Sequence, residues 1–294
     1  KKTKEEKINW LITKYFAGNN EAKNTLKSYW NTNKKLQNLH DEFIENTVSN
    51  FYLPLGVAPN FIINQKEYTL PMVTEESSVV AASSKAAKYW GLRGGFKTTI
   101  IGQEKIGQVH FMYSGVPEKI HSFFKSIESQ FYKDISEINK NMAARGGGIT
   151  SIELIDKTQE LKDYYQLHAC FNTVDSMGAN FINSCLEEFA KTLAREAAIH
   201  ESLKEEDPIE IIMSILSNYV PNCLVRAEVS CSIEDLEAEE GLSKREFAEK
   251  FVRAVEIARI EPHRAVTHNK GIMNGIDALV LATGNDFRAV EAGV

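Results

Sequence analysis

The sequence predicts an α/β (α+β) protein in which a larger α/β domain is interrupted by a ferredoxin-like βαββαβ unit. Three observations carry this expectation. Helical apolar spacing runs through residues 4 to 45 and then gives way to short strand-like runs. Between 105 and 215, strand and helix patterns follow one another in the order β-α-β-β-α-β. Strand and helix signals then resume to Val294. The expected division is 1–104 and 216–294 as two parts of the larger domain, with 105–215 between them.

Trp10, Leu11, Tyr15 and Phe16, then Leu26, Trp30, Leu36 and Phe43, recur at helical spacing, with Asn19-Asn20 separating the two runs. Phe51 to Val57 and Phe61-Ile62-Ile63 read as strands with a turn at Asn64-Gln65. Residues 77 to 90 are small and apolar and read as a buried helix, broken by Arg93-Gly94-Gly95. Gln108 to Tyr113 reads as a strand, and Pro117 to Met142 as one long helix with Pro117 in its first turn. Gly146-Gly147-Gly148 ends that helix. Ile149 to Ile155 and Tyr164 to Phe171 read as a strand pair, Asp175 as the start of a helix to about His200, and Ile211 to Leu216 as a further strand. Cys223 to Cys231 is a strand candidate. Ser243 and Glu246 form a capping box ahead of Phe247, Phe251 and Val255. A final apolar helix is expected from near Gly275.

The composition excludes several classes. Of 294 residues, 43% are apolar and 25% charged, ordinary for a soluble globular protein with a sizeable core. A net charge of −6 argues against a nucleic-acid partner, so anionic ligands have to be held by local Arg, Lys and amide groups. The four cysteines lack metal-type spacing and read as reduced thiols; no metal is expected. No apolar run approaches membrane-spanning length and no signal peptide precedes the basic start, which points to the cytoplasm and to no membrane partner. The chain opens on Lys1, so its N-terminus is expected to be trimmed.

Several clusters could carry chemistry. In Pro71-Met72-Val73-Thr74-Glu75-Glu76-Ser77-Ser78, two carboxylates precede a helix. They either interact with its N-terminus or include one drawn into an apolar site and made a proton donor. Asp175-Ser176-Met177-Gly178-Ala179-Asn180 is a helix start at which free amides suit a pyrophosphate, although an Asp N-cap is often purely structural. Gly146, Gly147 and Gly148 are either a flexible break or a close backbone approach to a ligand. No G-x-G-x-x-G follows a strand, which removes a Rossmann domain. Pro262 to Gly275 and Thr283-Gly284-Asn285-Asp286 set charges and amides among glycines. Lys270 alone reads as a surface lysine, and His263 and His268 around Arg264 do not make a zinc site.

Together with Glu45-Asn46-Thr47-Val48 and Leu53-Pro54-Leu55-Gly56-Val57-Ala58, these runs resemble, in order and spacing, 3-hydroxy-3-methylglutaryl-CoA (HMG-CoA) reductase of the bacterial, membrane-free class II type. The resemblance covers essentially the whole chain but about two thirds of the family's length, so a C-terminal truncation is expected. It implies two hydride transfers from NADPH or NADH that convert HMG-CoA to mevalonate and CoA. By position it makes Glu76, Lys270 and Asp286 catalytic, with a buried Asp286 keeping Lys270 charged, and gives Ser78, Arg264 and Asn274 to the substrate. Asn139, Gly146, Gly147, Gly148, Asp175, Met177, Gly178 and Asn180 match the dinucleotide site of a ferredoxin-like cofactor domain. Asn139, beside Lys140, stands where NAD-using members carry an aspartate, which favours NADPH. Ser77 replaces a frequent Pro, Phe287 a frequent Trp, and the Cys185 to Pro221 region is longer. None of the seven histidines matches the family's C-terminal acid. A homodimer or larger oligomer of dimers with shared sites is implied. The competing reading is a non-catalytic dimer that binds CoA ligands. An unrelated α/β enzyme that shares only the dinucleotide helix is the third.

Overall fold

The computed structural model describes residues 2–205, 207–237 and 241–294. Three short helices open the chain. α1 (Lys4–Tyr15) starts on a capping box: Thr3 Oγ1 accepts from the Glu6 amide while the Glu6 carboxylate accepts from the Thr3 amide. α2 (Asn20–Ser28) and α3 (Lys34–Asp41) begin at Asn19 and Asn33, whose side-chain oxygens satisfy two first-turn amides each. Ile8 and Ile12 are buried, and Lys4 pairs with Asp41 at 2.6 Å to close α1 onto α3.

β1 (Leu55–Ile63) and β2 (Lys66–Val73) form an antiparallel hairpin with Ile63 opposite Lys66. Asn64 and Gln65 both have positive φ, 49° and 67°, the backbone that a twisted two-residue hairpin turn requires. Phe51 to Pro54, expected in the first strand, lie outside it, and the pairing starts at Leu55 opposite Val73. α4 (Val79–Gly91) is the helix expected over 77–90, but of its residues only Val79 and Ala87 are buried. Small apolar residues suit a covered or an open helix face equally, so composition alone could not set its burial.

β3 (Lys97–Met112) is far longer than the strand expected at Gln108 to Tyr113. Its first half pairs with β7 (Cys223–Glu228), Lys97 opposite Glu228, and its second half with β5 (Tyr164–Asn172) and β6 (Glu210–Leu216). With β4 (Gly148–Asp156) the sheet runs β4-β5-β3-β6, every pairing antiparallel. That is the ferredoxin-like order. The expected long helix is two, α5 (Pro117–Asp134) and α6 (Ser136–Ala143), broken at Ile135, which is 1% exposed and turns inward. α7 (Ala179–Ile199) is the second long helix of this unit.

Period-2 alternation aims Val109, Phe111, Tyr165, Leu167, Ala169 and Phe171 at one face of the sheet, where they meet Phe123, Phe131, Ile182 and Phe189 of α5 and α7. On the opposite face Tyr164, Gln166, Gln108 and His110 hydrogen-bond to one another.

α8 (Lys244–Ile260) starts at the expected Ser243/Glu246 capping box. α9 (Pro262–Ala282) is one continuous helix, not a loop followed by a helix from Gly275. Pro262 stands in its first turn, and Gly271 and Gly275 are carried within it, a cost of about 1 kcal/mol each that packing can offset. Ala278 joins Ala58, Met72 and Val79 in a second small core, which seats α9 on the hairpin and on α4. α10 (Phe287–Gly293) ends the chain.

Candidate active site

That second core positions the first chemical pair. β2 ends at Val73, and the turn to α4 is shaped by the Glu76 amide donating to Thr74 Oγ1 at 3.2 Å. Ser78 closes the turn in the left-handed region, φ 78°. Two turns before Ala278, Lys270 lies on the same side of α9 and reaches down to this turn. Its Nζ donates to Glu76 Oε2 at 2.7 Å, joining residues 194 apart in sequence. The side chains are 62% and 46% exposed, so as the chain stands the pair is a screened surface ion pair.

Of the other expected substrate residues, Asn274 and Ser78 adjoin the pair along the chain, and Arg264 lies six residues before Lys270 on α9. Asn274 follows Lys270 by four residues on α9, one turn nearer the small core. Ser78 is exposed beside Glu76, and its side chain caps nothing. Arg264 is exposed in the first turn of α9, and His263 pairs with Glu261 at 2.8 Å.

Asp286 does not join Lys270. A continuous α9 carries the chain from Lys270 to Ala282, a rise of about 18 Å, before Asp286 is reached. The expectation of a buried Asp286 beside Lys270 assumed a loop here, and within one chain the helix removes it. Instead Asp286 accepts from the amides of Arg288 and Ala289 and from the Arg288 guanidinium at 3.1 Å. The Arg288 bond, helped by those amides, holds the Asp286 carboxyl below the usual carboxylate range.

The expected dinucleotide residues gather at one end of the four-stranded sheet. Gly148 stands opposite Asn172 in the β4–β5 ladder. A Cβ on Gly147 would lie 2.5 Å from the Asn172 carbonyl oxygen and 2.8 Å from Val174 Cγ2, so the two turns touch. Gly146 has φ +85° and opens to free space. Asn139, on α6, packs its Oδ1 against Gly148, and that oxygen is buried without a hydrogen-bond partner among the described residues. Lys140 is exposed and pairs with Glu137 at 3.5 Å.

Asp175 does not open α7. Gly178 is the N-cap, φ +76°, with no side-chain cap, so the first amides of α7 find no acceptor among the described residues. Asp175 lies instead within the preceding turn, closed by the Ser176 amide on Thr173 O and by Thr173 Oγ1 on Ser176 O. Met177 is exposed at its tip, and Asn180 stands in the first helical turn. Lys105, which nothing in the sequence singles out, sits behind this turn: its Nζ donates to Thr173 Oγ1, Ser176 O and Met177 O at 2.8, 2.7 and 2.9 Å. A signal for it exists only in three dimensions, as a lysine on β3 opposite Phe171.

Comparison with known proteins gives the chain a family. Residues 5–294 match the family model described as hydroxymethylglutaryl-coenzyme A reductase. The chain is 35% identical over 253 residues to the 3-hydroxy-3-methylglutaryl-coenzyme A reductase of Archaeoglobus fulgidus, covering 86% of this chain and 54% of that one. It is 32% identical over 287 residues to a probable reductase of Borreliella burgdorferi, covering 93% and 61%. The chain thus spans little more than half the length of these curated relatives. A Streptococcus pneumoniae reductase structure superposes with a TM-score of 0.74 at 32% identity, over 99% of this chain and 66% of that one. A class II reductase structure from the same organism, bound to NADPH in open conformations, matches with a TM-score of 0.74 at 31% identity, over 99% and 75%. The chain belongs to the hydroxymethylglutaryl-coenzyme A reductase family.

Proposed function

We propose that the protein is an NAD(P)H-dependent HMG-CoA reductase of the mevalonate pathway, in which Lys270 and Glu76 act on the substrate carbonyl. The observation that carries this reading is the 2.7 Å contact between Lys270 and Glu76, two residues far apart in sequence that the family's motifs make catalytic. Reduction of a thioester to an alcohol builds negative charge on the carbonyl oxygen twice, first toward a hemithioacetal and then from the aldehyde. A fixed ammonium stabilises that oxyanion, and a carboxyl beside it delivers the proton that quenches it. Ser78, beside Glu76, and Asn274, one turn along α9 from Lys270, would orient the hydroxymethylglutaryl group, and Arg264 is given to it by the family resemblance alone.

When bound, the reduced nicotinamide supplies the hydride. The chain's own residues fit a dinucleotide: the amides at Gly178 and the first turn of α7, the adjoining glycine turn, and Asn139 Oδ1, without a partner among the described residues, all lie at one sheet end. Asn139 in place of a carboxylate leaves the ribose pocket free of the repulsion that excludes a 2′-phosphate, which favours NADPH. Residues 105–215 then form the cofactor domain, with 1–104 and 216–294 the substrate domain. That division is supported by the main core, drawn from residues between Val109 and Leu203.

The openness of the Lys270–Glu76 pair supports a homodimer. A unit ion pair at 4 Å is worth about 1 kcal/mol in water and about 4 kcal/mol at an effective dielectric of 20, so the pair needs a cover to act strongly. Ile260, Val266 and Ile272 on α8 and α9 are exposed apolar side chains that a second copy would bury. The test is HMG-CoA-dependent oxidation of NADPH by the full-length gene product. Binding of HMG-CoA without turnover overturns the enzymatic reading in favour of a CoA-ligand-binding protein.

A further inference from the structure

Lys105 uses all three of its ammonium protons on the turn before α7, donating to Thr173 Oγ1, Ser176 O and Met177 O. It is half-buried, and desolvation is the main influence on its ammonium. Among the described residues no carboxylate pairs with it. An ammonium taken partly out of water without a counter-ion is costly, and a structural tie alone could be made by a neutral side chain. The charge therefore calls for an anion on the other side of the turn.

Peptide geometry says which groups would meet that anion. No peptide bond among the described residues is cis, so each carbonyl points opposite to the amide of the next residue. With the Ser176 and Met177 carbonyls held on Lys105, the amides of Met177 and Gly178 face away from it, and neither donates to an acceptor among the described residues. They continue directly into the first-turn amides of α7, which likewise find no acceptor among the described residues. Thr173, 1% exposed, locks the arrangement: its hydroxyl accepts from Lys105 and donates to Ser176 O, and its methyl packs under Gly178. We propose that Lys105 is the positioning residue of this turn, holding the Met177 and Gly178 amides toward the cofactor's pyrophosphate and supplying the charge that the phosphate neutralises. This rests on the reading of the turn as the dinucleotide site.

The test is calorimetric titration of NADPH into full-length wild type, Lys105→Met and Lys105→Arg, with KM values for NADPH and HMG-CoA. Lys105→Met, which keeps length and loses charge and donors, raises the Kd and KM for NADPH by about tenfold or more while the KM for HMG-CoA changes by less than about twofold. Lys105→Arg recovers part of the loss. NADPH affinity within about twofold of wild type in Lys105→Met overturns the proposal, as does an equal loss for both substrates. If Lys105→Met does not fold, Thr173→Val serves: it removes the shared hydroxyl, and an unchanged NADPH Kd in it is equally fatal. A wild type that binds no NADPH overturns the reading of the turn itself. A wild type that binds it while Lys105→Met binds equally well overturns only the role of Lys105.

Discussion

Gly178→Ala probes the turn that the proposed cofactor site depends on, and its cost can be worked from two separate contributions. Gly178 has φ +76°, where an L residue with a Cβ loses about 1–2 kcal/mol. The added Cβ would also lie 2.3 Å from Thr173 Cγ2 and 2.7 Å from Thr173 Cβ. Thr173 cannot retreat, because it is buried and its hydroxyl is fixed between Lys105 and the Ser176 carbonyl. Overpacking of this kind costs about 1–3 kcal/mol. The two together predict a destabilisation of about 2–5 kcal/mol. Gly146→Ala is the internal control: its φ is +85°, but nothing lies within 4 Å of the added Cβ, so it carries the backbone cost alone. Urea unfolding of both variants gives the comparison, read as a shift in midpoint at unchanged slope. Gly178→Ala should be the more destabilised, and its NADPH affinity should fall even where the fold survives. A Gly178→Ala protein no less stable than Gly146→Ala would refute the packing of Thr173 under the turn.

Two further outcomes follow from other parts of the molecule. Asn139→Asp places a carboxylate beside Gly148 and should lower the NADPH-to-NADH ratio of kcat/KM by about fivefold, the equivalent of roughly 1 kcal/mol; an unmoved ratio means that this position does not read the ribose. Burial raises the Asp134 carboxyl, but hydrogen bonds from Thr192, Arg195 and Gln130 outweigh it and leave the group below its ordinary range. A depressed carboxylate stabilises the fold above its unfolded value, about 3.9, and that contribution is lost as pH falls through the lower folded value. Asp134→Asn should therefore be less stable than wild type at neutral pH, with the gap closing below about pH 4. A gap that widens toward acid would contradict the assignment, and thermal melts across pH decide it.

Local physics made part of this fold legible in the sequence. Tyr164 to Phe171 read as a strand, and that strand sits in the middle of the main core. The Asn64-Gln65 turn and the Ser243/Glu246 capping box are decided within a few residues, and both stand where expected. Features set by distant partners were not legible. Ile135 continues the helical pattern of its neighbours, so nothing local marks the break between α5 and α6 at this buried residue. A helix was expected only from near Gly275, yet α9 runs from Pro262 through Gly271 and Gly275, with Ala278 seating it on the hairpin and α4. The same continuity separates Asp286 from Lys270. At the site, Glu76 and Lys270 were identifiable only through the resemblance, and their contact is the new information. Lys105 left no trace, since a single lysine in a strand looks like an exposed one until its three acceptors are seen.

The central claim is that Glu76 and Lys270 work as one catalytic unit, and a double-substitution cycle on HMG-CoA-dependent NADPH oxidation by the full-length protein tests it most directly. Removing a preorganised charge aimed at a developing oxyanion costs about 3 kcal/mol, so Lys270→Met and Glu76→Gln should each lower kcat/KM by about a hundredfold or more. Partners that act together are strongly non-additive, so the double variant should be little worse than the poorer single one. In the free protein the same cycle on folding stability should give a coupling of about 1 kcal/mol or less, because both side chains are largely exposed. Near-normal turnover in either single variant, or losses that simply add, would contradict the assignment of this pair to the reaction.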